Sequence, residues 1–373
     1  MGAYTPGLKV TENTLLKLER RLPLDGEVLS KEGDRVSWDT IVARTDLPGR
    51  VDMINVANKL GIEAAAVPNS MFKKVGEKIG KGDPMAQNEG FFGFFKSTLP
   101  APMAGTIESV SEITGQVILR APPRLVEITA YVDGVVDQVL PNQGVVIKTF
   151  GTFIQGIFGI GGETSGELVM LAGSPDQEMT PDQIKPEHAG KIVVGGSLVT
   201  NPVLAAAIST GVKGLIVGGI HDQDLRDFLG YDLGVAITGS ERKGVTLVVT
   251  EGFGPIPMAH RTFNLLRSKA GRRASMSGAT QIRAGVIRPE VIIPELEGDW
   301  LQSEDRVLDL ELAVGAPVRI IREPNFGRLA KVVALPVEPA VIPSEAKVRV
   351  AEVELDGGER MTLPRANLEL IEG

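Results

Sequence analysis

The chain of 373 residues contains no cysteine, only three histidines, and few aromatics beyond phenylalanine. Without a thiol there is no disulfide framework, no thiolate nucleophile, and no iron–sulfur or zinc–cysteine centre. Three scattered histidines do not make a histidine-rich metal site, so no metal is expected. No run of 18 apolar residues occurs, so no membrane-spanning helix is expected. Residues 1–10 carry no apolar core of the kind a signal peptide needs, which makes the cytoplasm the expected location. The charge is also one-sided. There are 47 acidic and 39 basic side chains, a net −8, which argues against broad binding to nucleic acid.

What is there is enough apolar sequence to fold. Apolar residues make up 43% of the chain and charged ones 23%, well outside the range of a disordered polypeptide. The length predicts two or three domains with a sizeable core.

Residues 1–150 read as short strands broken by glycine turns. Gly105-Thr106-Ile107 precedes Gly115-Gln116-Val117-Ile118, and Gly134-Val135-Val136 precedes Gly144-Val145-Val146-Ile147. Glycine permits the turns and the β-branched residues suit a pleated surface, which predicts a small β barrel or sandwich. One helix is expected within 51–60, stopped by Gly61.

The segment Ala101-Pro102-Met103-Ala104-Gly105-Thr106-Ile107 resembles the opening strand of biotinyl and lipoyl carrier domains. The Lys31-Glu32-Gly33-Asp34-Arg35-Val36 turn is similar to their Gly-Asp turn. The wider pattern over 20–150 resembles a barrel-sandwich hybrid, as in the C subunit of the Rnf electron-transport complex. The resemblance stops short of carrier function. A biotin carrier needs a lysine about 35 residues after the Pro-Met strand, and residues 133–140 contain none. No cofactor is therefore expected.

Residues 151–190 read as a glycine-rich connection. From 191 to 312 the pattern alternates between strand and helix. Strands are expected at 191–194, 214–217, 234–238 and 245–250, and helices at 202–210, 222–229 and 258–270. Continuous apolar strands between helices predict a parallel, Rossmann-like α/β layer, and the order resembles small DRTGG-type domains. Residues 313–373 return to β. Ala316-Pro317-Val318-Arg319-Ile320-Ile321 and Asn325-Phe326-Gly327-Arg328-Leu329 resemble a KOW motif on an SH3-like barrel, with residues 365–371 as its closing strand. The expected architecture is thus multidomain α/β plus all-β: an N-terminal barrel-sandwich, a central α/β layer and a C-terminal SH3-like barrel.

Three groups of residues stand out as site candidates. Gly196 and Ser197 follow one predicted strand and His221 another, at the carboxyl ends where open α/β sheets bind ligands. The segment 261–288 holds seven basic residues and no acid. Within it Arg272, Arg273, Ser277, Thr280 and Arg283 suit a phosphate or carboxylate ligand. The competing reading is internal neutralisation, because residues 290–311 hold eight acids and one base. Phe91, Phe92, Phe94 and Phe95 place four of twelve phenylalanines in five residues. Strict alternation cannot bury them all on one strand face, which marks them as subunit-contact candidates. The glycine-rich run at 156–166 fits neither the dinucleotide nor the Walker pattern. It reads as a domain connection or as a close-packed subunit contact.

No complete catalytic motif is present, and the sequence leaves catalysis undecided. Three functions follow. The first is a non-enzymatic cytosolic scaffold or binding protein forming a homo-oligomer. The second is an enzyme or sensor for a phosphorylated or carboxylated small molecule held by the α/β domain. The third is a transcription- or translation-associated factor acting through the KOW-like domain. Against direct RNA binding by that domain stand its eight basic and nine acidic residues between 313 and 373.

Overall fold

The computed structural model describes residues 8–88, 96–230, 237–238, 241, 243–281, 287–298, 300–302, 312–320, 325, 328–336, 338–341, 347–355 and 357–370. The chain is mostly β, with several sheets and a smaller α/β part.

One eleven-stranded sheet organises the molecule. Its strands are β1 (Val10–Arg21), β2 (Arg35–Val36), β3 (Gly134–Leu140), β4 (Gly144–Gln155), β5 (Phe158–Ile160), β6 (Glu163–Met170), β7 (Ile192–Val194), β8 (Gly214–Ile220), β9 (Thr246–Phe253), β10 (Arg273–Ser277) and β11 (Glu290–Pro294). The spatial order is β5-β9-β8-β7-β6-β10-β11-β4-β3-β2, with β1 on the other edge of β4. β6, β7, β8 and β9 are parallel and lie side by side in chain order. The remaining pairings are antiparallel.

The parallel strands are apolar along their length because both faces are covered. On one face α1 (Asn201–Thr210) and α2 (Asp222–Leu229) bring Val203, Leu204, Leu225 and Leu229 against Val193, Leu215, Val217 and Leu247. Both helices end where the sequence predicts, on Gly211 and Gly230 in the left-handed region that glycine enters without strain. On the other face α3 (His260–Ser268) packs Phe263 and Leu266 on Ile192, Val194, Ile216 and Val248. Met276 and Val291 join that core, so the antiparallel part of the sheet folds back over the parallel part.

The structure differs from the sequence reading at three places. Residues 151–190 are more than a connection, because β5 and β6 lie within them and β6 is the first parallel strand. Residues Val51–Asn55 form a strand, and only Val56–Leu60 is helical. Asn55 caps that helix by accepting from Asn58 N–H at 2.9 Å. The strand expected at 234–238 falls largely outside the described residues; Ile237–Thr238 pairs with Thr280–Gln281 and not with the parallel strands.

Two smaller β regions flank this sheet. In the N-terminal one, Val51–Asn55, Gln116–Arg120, Gly105–Val110 and Lys78–Ile79 form a four-stranded sheet over Ile54, Ile107, Val117 and Leu119. Near the C-terminus, Arg360–Pro364, Val350–Leu355, Leu329–Ala334, Pro317–Ile320 and Leu368–Leu370 form a five-stranded antiparallel sheet. Leu368–Leu370 pairs with Pro317–Ile320, so the last described strand closes on the first of that sheet.

Candidate functional site

The carboxyl ends of β7 and β8 carry Gly196, Ser197 and His221, but they leave little room for an anion. Ser197 is buried, and its hydroxyl donates to the Asp176 carbonyl at 2.8 Å. Nearby amides are already used: Gly195 N–H donates to Ile216 O, Ser197 N–H to Gln177 O, and Gly218 N–H to Gly196 O. A Cβ added at Gly218 would lie 2.2 Å from Ile256 O, and one at Gly219 1.9 Å from Gly254 O. These glycines admit neighbouring backbone. The topology gives the reason. Ligand crevices in open α/β sheets form where strand order reverses, and β6 to β9 run in unbroken order. His221 is exposed at the N-cap of α2 and makes no side-chain cap. Close by, the Asp176 carboxyl is held below its usual range by the Ser174 hydroxyl, its own backbone amide and the His260 charge.

The basic segment lies elsewhere. Ser277 pairs with Glu163 at the start of β6, whereas Val194 pairs with Met170 at its end. Seven residues of strand separate these levels by about 23 Å. Thr280 accepts from Gly159 N–H at 3.0 Å and so ties the sheet closed near β5. Arg272 meets Glu297 at 3.4 Å, and the Arg273 guanidinium lies 5.4 Å from the Trp38 ring centroid. Lys269 sits between Glu12 at 2.8 Å and Glu295 at 2.9 Å. The opposite charge blocks thus neutralise each other at Glu295 and Glu297. The described candidate anion residues are not brought to one place. Arg283 and the four phenylalanines at 91–95 lie outside the described residues.

The polar cluster that the fold does assemble was not visible as a motif. Glu163, Ser277, Glu290 and Gln155 form one row across β6, β10, β11 and β4. Paired residues in a sheet share a face, and here the face is the one turned away from the α/β core. The next row on that face contains Ser165, Ser275 and Ile292. Tyr131 lies over these rows. It is 4% exposed, with φ 71°, a left-handed conformation that strains a bulky side chain. Ser275 Oγ donates to Tyr131 O at 2.5 Å and Tyr131 N–H donates to Trp38 O at 2.9 Å, which hold it there.

Arg20 reaches in from β1. It grips Glu163 with two hydrogen bonds of 2.6 and 2.7 Å, donates through Nε to Thr129 O, and lies 5.2 Å from the Tyr131 ring centroid. Glu290 makes no ion pair among the described residues. Burial pushes its carboxyl up to about 7, the Glu163 charge adds to this, and the Tyr131 hydroxyl and Arg20 oppose it. Burial also raises the Tyr131 phenol well above its ordinary value, with Glu290 and Glu163 contributing. The Tyr131 hydroxyl faces Glu290 without a well-directed hydrogen bond, and the buried Ser165 hydroxyl makes none. A carboxyl that titrates near 7 against the buried Tyr131 hydroxyl, with the unsatisfied Ser165 hydroxyl one row away on the same face, can bind a polar group or exchange a proton.

Arg319, on the strand Pro317–Ile320, is buried and paired with Glu251 of β9. It also donates to Thr250 O at 3.1 Å, while Glu251 accepts from Ala259 N–H at 2.9 Å. This cation braces two parts of the molecule and is withdrawn from the surface. In the N-terminal region, a pocket of about 330 Å³ opens beside Lys78, Thr106, Arg120 and Pro122. Arg120 there is held by Glu108 through two bonds of 2.8 and 2.9 Å. Among the described residues there is no cluster of three or more metal-ligating side chains, and no helix long and apolar enough to cross a membrane.

No known family model matches the chain, and no curated protein matches it.

Proposed function

We propose that the chain is a non-enzymatic scaffold or binding protein that works in the cytoplasm as a homo-oligomer. In this reading the N-terminal region is a barrel-sandwich module and the C-terminal region an SH3-like one. The Rossmann-like layer between them is the structural hub. The observation that carries it is the closed carboxyl end of the parallel strands. There, where an α/β enzyme would hold its ligand, backbone packs against Gly218 and Gly219. The Arg319–Glu251 pair supports the hub role, because it couples the C-terminal sheet to β9 through buried groups.

Self-association has a physical basis in the N-terminal region. Val51 and Met53 lie on an edge strand and are 45% and 63% exposed. An apolar edge strand is a template for pairing with another chain. The phenylalanines at 91–95 add a second apolar candidate from the sequence. Direct RNA contact through the KOW-like segment loses support, since one of its arginines is buried and neutralised. Light scattering at micromolar concentration tests the proposal. A stable oligomer that Met53→Glu or Phe92→Ser weakens is expected, and a clean monomer would overturn it.

A further inference from the structure

The cluster around Tyr131 has an unbalanced charge. Arg20 and Glu163 neutralise each other in a two-bond pair. That leaves Glu290 as a half-buried carboxyl with no ion-pair partner of its own among the described residues, the Arg20 charge acting on it only from its pair with Glu163. The groups facing Glu290 are Tyr131 from the loop before β3, Glu163 from β6 and Arg20 from β1. Its cross-strand neighbours Ser277 and Gln155 are uncharged. Two hydroxyls, Tyr131 and Ser165, are at least nine-tenths buried and lack a well-formed hydrogen bond. Buried polar groups are nearly always satisfied, so two on one face point to a missing partner. The strained backbone of Tyr131 is a third sign, because such conformations gather at binding sites. Glu163, with 42% of its side chain exposed, leaves a way in from solvent.

We propose that this cluster binds a small organic cation through its ammonium group, with Glu290 as the counter-charge and the Tyr131 and Ser165 hydroxyls as acceptors. An ammonium has three donors and no acceptor, which matches one carboxylate and two hydroxyl oxygens. An anion would meet two carboxylates and one already committed arginine. A divalent metal ion would find only two carboxylates, too few of the six to eight oxygens that calcium takes. The recognition mode is a charge-assisted hydrogen bond in a poorly solvated setting, where such bonds are strongest.

Three probes of matched size separate the possibilities: ethanolamine, ethylene glycol and glycolate, which end in an ammonium, a hydroxyl and a carboxylate. Calorimetric titration of the full chain at pH 8, with Glu290 ionised, should give saturable binding for ethanolamine alone. Glu290→Gln, nearly isosteric and uncharged, should weaken it at least tenfold, and Tyr131→Phe several-fold. Ethanolamine binding should also weaken at pH 5.5, where Glu290 holds its proton. Circular-dichroism melts establish that each variant is folded, and the pH series on the unaltered chain needs no variant. Absence of saturable ethanolamine binding, equal binding of ethylene glycol, or binding indifferent to both Glu290→Gln and pH would overturn the proposal.

Discussion

Arg319 and Glu251 form an ion pair in which each side chain is only 2% exposed, and they come from different parts of the molecule. One lies on the first strand of the C-terminal sheet and the other on the edge-side parallel strand β9. Removing one partner strands a buried charge. Glu251→Leu or Arg319→Met should therefore destabilise the chain by about 3–5 kcal/mol. The double variant Arg319→Met/Glu251→Leu should recover most of that loss, because an apolar pair leaves nothing unpaired. Denaturant titration of the three variants measures the coupling. Purely additive losses would show that the pair does not act as a unit.

Glu290 should make stability fall with rising pH. Its folded-state carboxyl titrates near 7, above the ordinary value of 4.5, so the folded chain holds a proton that the unfolded chain has released. Stability from this group is complete below about pH 4.5 and lost as pH rises through 7, a span worth about 3 kcal/mol. Glu290→Gln should remove the slope and be the more stable form at pH 8. Melting temperatures from pH 5 to 8 give the comparison; parallel curves for both proteins would contradict it.

Gly219→Ala should be strongly destabilising, because the new methyl would meet Gly254 O at 1.9 Å, a backbone atom that cannot swing aside. A loss of more than about 2 kcal/mol is expected for overpacking of this kind. His221→Ala, at an exposed position two residues on, should change stability by less than about 0.5 kcal/mol. If inorganic phosphate raised the melting temperature and His221→Ala abolished the rise, the view that this end of the sheet is closed would fail.

Ser275→Ala removes the donor to the Tyr131 carbonyl inside the sheet stack. A buried acceptor left unsatisfied costs about 1–3 kcal/mol, and the strained Tyr131 backbone loses one of its two anchors. Chemical denaturation measures the cost. Ethanolamine affinity should fall in parallel, because the Tyr131 ring is no longer held over Glu290.

The sequence by itself determined the local features. Helices at Asn201–Thr210 and Asp222–Leu229 follow from their spacing and glycine stops, and the buried parallel strands from their apolar runs. The closing strand at 365–371 was expected from a resemblance; in the structure Arg365–Asn367 form a helical turn and only Leu368–Leu370 is strand. Glu163–Met170 escaped because glycine and glutamate interrupt it, and only its pairing with β7 and β10 makes it a strand of the central layer. The Tyr131 cluster was hidden more deeply. Arg20, Tyr131, Glu163 and Glu290 span most of the chain, and none stands in a motif. Sheet register decides that Glu163 and Glu290 share a face with Ser277 between them. Burial then decides that the Glu290 carboxyl holds its proton up to about pH 7, while Glu163 is taken up by Arg20.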